Sequence, residues 1–137
     1  MESDELKNIL IKVNLEKSVG AFKIAELSIR ENEFVSAMNR IYYSIFYTVT
    51  ALAEKHGFKT SKHTAMIEWF NKKFVYQERV FDVELFKVYR KTFKYRQKSD
   101  YDTLYIPTFE ETTELLAEAK VFIERVKKYI NDDNSIL

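Results

Sequence analysis

Cysteine is absent from this chain, which excludes disulfides and thiolate metal sites and fits a reducing cytoplasm. Only 2 glycines and 1 proline occur in 137 residues. A β-rich or loop-rich fold of that length needs more turn formers, so the shortage points to helices. Two glycines cannot build a Walker loop or a dinucleotide fingerprint. Two histidines without cysteine leave no ordinary zinc-ligand set. No apolar run reaches the roughly 18 residues of a membrane span. The start Met1-Glu2-Ser3-Asp4-Glu5 is acidic, unlike the basic-then-apolar build of a signal peptide. A dominant charge is missing too. The net charge is +1, so any nucleic-acid binding has to rest on local patches.

What remains is a chain with 46% hydrophobic residues, enough for a sizeable core. The expectation is one cytoplasmic domain over residues 1–137, all-α, an antiparallel bundle of four to five helices with no cofactor, metal or membrane segment. The first helix runs from about Asp4 to Arg30, with Leu6, Ile9, Leu10, Val13, Ile24 and Leu27 suiting one face. Gly20 interrupts that face and implies either close helix packing or a break. The second helix spans about Phe34 to His56, with Gly57 in the place a C-terminal cap prefers. A third follows from about His63 to Phe74, then a turn at Gln77-Glu78-Arg79. The fourth covers about Asp82 to Lys98, ended by the cap-forming run Ser99 to Thr103. Pro107 precedes a fifth, which Thr108 and Glu111 open as a capping box.

The second helix is apolar almost all round, as a central bundle helix is. One stripe breaks the pattern. Ser36, Arg40, Tyr43, Tyr47, Thr50 and Glu54 recur at steps of three or four and share a face. A guanidinium and two phenols there need partners, so the stripe is an internal polar network or the wall of a site. Tyr42 and Phe46 read as core. On the fourth helix, Lys87, Lys91, Lys94 and Lys98 form a basic stripe with Arg90 and Arg96 nearby. Lys91, Lys94 and Lys98 are candidate phosphate-binding groups, or a solvated face balancing the acidic fifth helix. Asp100 and Asp102 are spaced like a metal pair but sit where such residues cap.

Four pieces carry a resemblance. They are Ala37-x-x-Arg40-x-Tyr42-Tyr43-Ser44-x-Phe46, Lys62-His63 opening the third helix, and Arg96-x-x-x-Asp100-Tyr101, followed by a last helix with Ala119-x-x-Phe122-Ile123. In that order they resemble the HEPN domain family (higher eukaryote and prokaryote nucleotide-binding), in particular its small stand-alone prokaryotic members. The resemblance implies an antiparallel bundle, often a homodimer, that binds RNA or nucleotide. It also implies membership of toxin–antitoxin-like systems, several of them paired with a nucleotidyltransferase. Nuclease members carry an arginine followed four to six residues later by histidine. Here that histidine is replaced, and the motif reads Arg96-x4-Tyr101. Tyrosine ordinarily titrates near 10, which makes it a poor general base.

The candidate cleft therefore comprises Arg40, Tyr43, Tyr47, His63, Arg96, Asp100 and Tyr101. Three functions stay open: an RNA- or nucleotide-binding module, a metal-independent ribonuclease using Tyr101 or His63, and a non-catalytic protein-interaction bundle. Separately, the 11 Phe, 9 Tyr and 1 Trp are hard to absorb in one small bundle, and Trp69-Phe70 and Tyr76 are expected to form a partner-covered patch.

Overall fold

The computed structural model describes residues 3–132. Five helices and no strand occur among them. They are α1 (Asp4–Arg30), α2 (Phe34–Lys55), α3 (His63–Phe70), α4 (Val83–Tyr101) and α5 (Phe109–Asp132). A π-helical segment, Asn71–Gln77, continues α3.

The centre is α2, which packs against α1, α4 and α5. Met38, Ile41, Tyr42, Ile45, Val49, Ala51 and Leu52 are all fully buried, because the helix is apolar on every side but one. Small residues let α1 and α2 approach closely. Ser18 and Ala21 of α1 are buried, as are Ala37 and Ser44 of α2. The hydroxyl of Ser18 lies 2.6 Å from the Ser44 carbonyl and 2.7 Å from Thr48 Oγ1, so the one polar spot in this interface is satisfied. At the far end, buried Lys55 donates to the carbonyl of Ile130 and ties α2 to the last turns of α5.

Local signals set several ends. Gly57 takes φ +73° after α2, the left-handed conformation expected of a C-terminal cap. Ser3 and Asp82 cap α1 and α4 through their side chains. The capping box forms reciprocally, with Thr108 N 3.0 Å from Glu111 Oε1 and Glu111 N 3.0 Å from Thr108 Oγ1. These bonds hold the Glu111 carboxyl below its usual range, the Thr108 backbone amide contributing most.

Other expectations need correcting. Helix α1 neither breaks nor packs closely at Gly20, where a β-carbon would meet nothing within 4 Å. The α1 face of Leu6, Ile9, Val13, Ile24 and Leu27 is exposed; the buried face is Ile11, Ser18, Ala21, Ala25 and Ile29. Helix α4 continues three residues past Lys98, because Ser99 is buried and Asp100 pairs with Arg96 one turn back instead of capping. The end of the third helix widens into π turns, which bring adjacent Phe74 and Val75 both into the core.

Most of the aromatic side chains are absorbed internally, while Tyr76, Tyr101 and Phe109 are exposed. Phe70 is fully buried and contacts Phe74, Phe81, Tyr89 and Phe122, while Trp69 stacks on Phe58 at 4.8 Å. The expected Trp69–Phe70–Tyr76 patch is thus absent; of the three, only Tyr76 is strongly exposed.

Tyr89 is fully buried and its hydroxyl has no hydrogen-bond partner among the described residues. A buried unpaired hydroxyl costs about 1–3 kcal/mol. Tyr89→Phe is expected to leave stability unchanged or raise it by about 1 kcal/mol, read as the midpoint of urea unfolding. A loss of stability would mean that the hydroxyl has a partner.

Candidate functional site

A cluster of aromatic and charged side chains forms where α2, the start of α3 and the end of α4 meet. Its floor is aromatic. The Tyr42 and Phe46 rings lie beside His63, which stacks on Phe46 at 4.4 Å and 6°. Tyr43 meets the edge of His63 at 5.8 Å and neighbours Tyr47 at 5.8 Å. Lys17 of α1 reaches over the Tyr47 ring at 5.7 Å.

Two guanidinium groups lie against this floor. Arg40 sits 4.9 Å from the Tyr43 ring centre, held by two bonds to Asn39 Oδ1 at 3.0 and 2.7 Å. Arg96, arriving from α4, sits 5.6 Å from the same ring and 5.7 Å from Tyr42. Asp100 places Oδ2 3.1 Å from Arg96 Nε, yet the buried Nε–H is not aimed at it and makes no hydrogen bond among the described residues. Cation–ring contacts of this kind contribute on the order of 0.5–2 kcal/mol. Two cations and one carboxylate leave a positive excess.

The contact that organises the recess is between Tyr42 and His63, whose Oη and Nδ1 are 2.6 Å apart. Tyr42 is fully buried and burial pushes its phenol well above its usual range, so it stays protonated. Its O–H needs an acceptor, and Nδ1 is the one in reach. Nδ1 therefore accepts and Nε2 carries the imidazole proton. Burial, and secondarily Arg96, lower the His63 pKa, which favours this neutral form.

Arg40, Tyr43, Tyr47, His63, Arg96 and Asp100 are thus brought together. Tyr101 is not part of the ring cluster: it is 74% exposed at the end of α4, without a hydrogen bond or ring contact among the described residues. Lys91, Lys94 and Lys98 lie roughly half a helical turn away from Arg96, on another side of α4. They line a separate hollow of about 260 Å³ with Tyr95. Lys91 is paired with Glu118 at 2.9 Å and Lys98 lies over Tyr105 at 4.3 Å, so part of this stripe is engaged with α5 and its leading loop. Asp102 accepts from Leu104 N at 3.0 Å, a turn role. A further cavity of about 790 Å³ lies at the other end of α3 and contains none of the candidate cleft residues. Among the described residues no three His, Cys, Asp or Glu groups gather as a metal site. The residue missed by sequence reasoning is Tyr42. No signal in the sequence separates it from the apolar core positions around it.

A family model described as the HEPN domain matches residues 11–129. The chain belongs to the HEPN domain family. Similar proteins include "Putative toxin MJ0142" of Methanocaldococcus jannaschii, 32% identical over 120 residues, covering 88% of this chain and 81% of that protein. A UPF0332 protein of Thermotoga maritima is 35% identical over 108 residues, covering 79% and 81%. "Putative toxin MJ0605" of Methanocaldococcus jannaschii is 31% identical over 121 residues, covering 85% and 84%. No helix among the described residues is long and apolar enough to cross a membrane.

The His63 shift has a definite sign. Its folded pKa lies below the unfolded value of about 6.5, so the unfolded chain binds the proton first. The His63 contribution to stability is complete above that value and is lost as pH falls through it towards the folded pKa. Between pH 7 and 5.5 the wild type is expected to lose more thermal stability than His63→Gln. Parallel melting curves for the two proteins would contradict this.

Proposed function

We propose that the recess of this HEPN protein binds RNA or nucleotide by its phosphate, with Arg40 and Arg96 as the anion-holding groups. The observation that supports it is the pair of guanidinium groups against one Tyr43 ring, balanced by a single carboxylate. Guanidinium donors match phosphate oxygens in a planar, bidentate manner. Tyr43 and Tyr47 offer ring faces on which a base can stack, a sequence-tolerant contact. His63 adds Nε2–H as a neutral donor. Asp100 keeps Arg96 in place.

Turnover through His63 is the less supported reading. A general base needs a free lone pair, and in this tautomer Nδ1 accepts from Tyr42 while Nε2 is protonated. Tyr101 is too far out on the surface for a shielded proton transfer. A bundle used only for protein contacts would satisfy its recess arginines internally. Arg96 instead keeps an unbonded Nε–H.

The names of the two Methanocaldococcus relatives support a toxin-like role for this chain. In that setting we place it in the cytoplasm as a homodimer, with a nucleotidyltransferase as the candidate partner protein.

The test is titration of a labelled single-stranded RNA oligonucleotide against Arg40→Ala and Arg96→Gln. Each is expected to weaken binding by roughly tenfold, and to reduce the slope of the salt dependence by about 0.7 for every phosphate it ceases to neutralise. The glutamine keeps bulk beside Tyr42 and Tyr43, and melting curves establish that the fold survives. Unchanged affinity in both folded variants would refute the recess as the binding site.

A further inference from the structure

The polar stripe of α2 does not end at Tyr47. Thr50 and Glu54 continue it on the same helix face. The loop after α2 returns beside them. Lys59 and Thr60 of that loop, Met66 of α3, and Thr50 and Glu54 line a hollow of about 380 Å³. Glu54 is the group in it without a match. Its side chain is only 12% exposed, and Oε2 is buried without a hydrogen bond among the described residues. Oε1 stands 3.6 Å from Lys59 Nζ, longer than a hydrogen bond. A buried charged acceptor left unbonded is unfavourable, and a ligand that donates to it removes that cost. The hydroxyls nearby do not serve it. Thr50 donates to the Phe46 carbonyl at 2.8 Å, while Thr60 Oγ1 accepts from Lys62 N at 3.1 Å.

A carboxylate beside an ammonium calls for two donors side by side with an acceptor next to them. Among the four RNA bases only guanine has that edge, with N1–H and N2–H beside O6. Adenine, cytosine and uracil place an acceptor beside each donor, so one carboxylate oxygen would face a lone pair. We propose that this hollow is a guanine-binding subsite, in which Glu54 accepts from N1–H and N2–H and Lys59 donates to O6. The inference rests on the reading that RNA binds through Arg40 and Arg96, and adds which base that strand carries. The last torsion of a glutamate is soft, so turning both oxygens towards a base costs little. Glu54 lies 14 residues beyond Arg40, about 21 Å along the helix, with Tyr43 and Tyr47 between them. That length accommodates a few nucleotides, from a phosphate at Arg40, past bases stacked on the tyrosines, to a guanine at Glu54. A carboxylate also repels phosphate, so Glu54 favours only the strand whose base bonds to it.

The test is titration of the full-length protein with short labelled oligouridine strands carrying one central guanosine, inosine or adenosine. Inosine is guanosine without the 2-amino group, so it loses one of the two donors. The guanosine strand is expected to bind about tenfold more tightly than the adenosine strand, and at least about threefold more tightly than the inosine strand. Glu54→Gln offers one acceptor in place of two, and should bring the guanosine and adenosine strands within about twofold of each other. Melting curves establish that this variant folds, and the inosine comparison, made on the wild type, decides the matter even without it. Equal affinity of the wild type for the guanosine and inosine strands overturns the proposal. So does a guanosine preference retained by folded Glu54→Gln. Failure of the underlying reading has a different mark, namely affinities that Arg96→Gln leaves unchanged. Absence of binding to every strand overturns both.

Discussion

The hydroxyl of Tyr42 is inside the protein and must find an acceptor there. That single requirement connects the parts of the recess. It draws His63 to the start of α3, against the side of α2, and fixes which imidazole nitrogen holds the proton. Once the imidazole lies flat on Phe46, it and the two tyrosines form a continuous aromatic wall. Arg96 then has ring faces to rest on as α4 passes, and Asp100 one turn later keeps it from swinging out. Arg96 in turn helps keep His63 neutral, which preserves its capacity to accept from Tyr42.

The same arrangement explains why the fourth helix runs longer than its composition suggests. Ser99, Asp100 and Asp102 are residues that compete with helix backbone through their side chains. Asp102 does so, in the turn that follows. Asp100 does not, because a guanidinium four residues back offers its carboxylate a better partner than a backbone amide. A contact within the recess has overridden local propensity at this helix end.

How much of this is legible in the sequence depends on range. Signals acting within four residues are clear: the Thr108–Glu111 box, the Gly57 cap, the polar stripe of Arg40, Tyr43 and Tyr47 on an otherwise apolar helix. Facts set by distant segments are not. The apolar periodicity of α1 shows two candidate faces, and only the small residues Ser18, Ala21 and Ala25 mark the inner one, since they allow α2 to come close. Tyr42 looks like ordinary core because burial and hydrogen bonding to His63 leave the same trace in a sequence. Phe70 and Trp69 suggest a surplus of aromatic surface, but the π turns at 71–77 widen the helix enough for Phe74 and Val75 to be buried together. Tyr101 follows from motif spacing alone, and spacing does not say on which side of the last helical turn a side chain falls.

The replacement of the motif histidine by Tyr101 takes on a physical meaning in this setting. A site for proton transfer needs a group whose ionisation is poised near neutral pH and free to change. Here the nearest imidazole is stacked, hydrogen-bonded and biased towards its neutral form. The Tyr42 phenol is held protonated by burial, and that of Tyr101 is left in solvent. The cations are fixed by ring faces and short side-chain contacts. On the reading proposed above, such a site holds negative charge rather than passing a proton. Restoring histidine at position 101 would not by itself change that, because the exposed end of α4 does not face the Tyr42–His63 pair. In this chain the last turn of α4 leaves position 101 exposed.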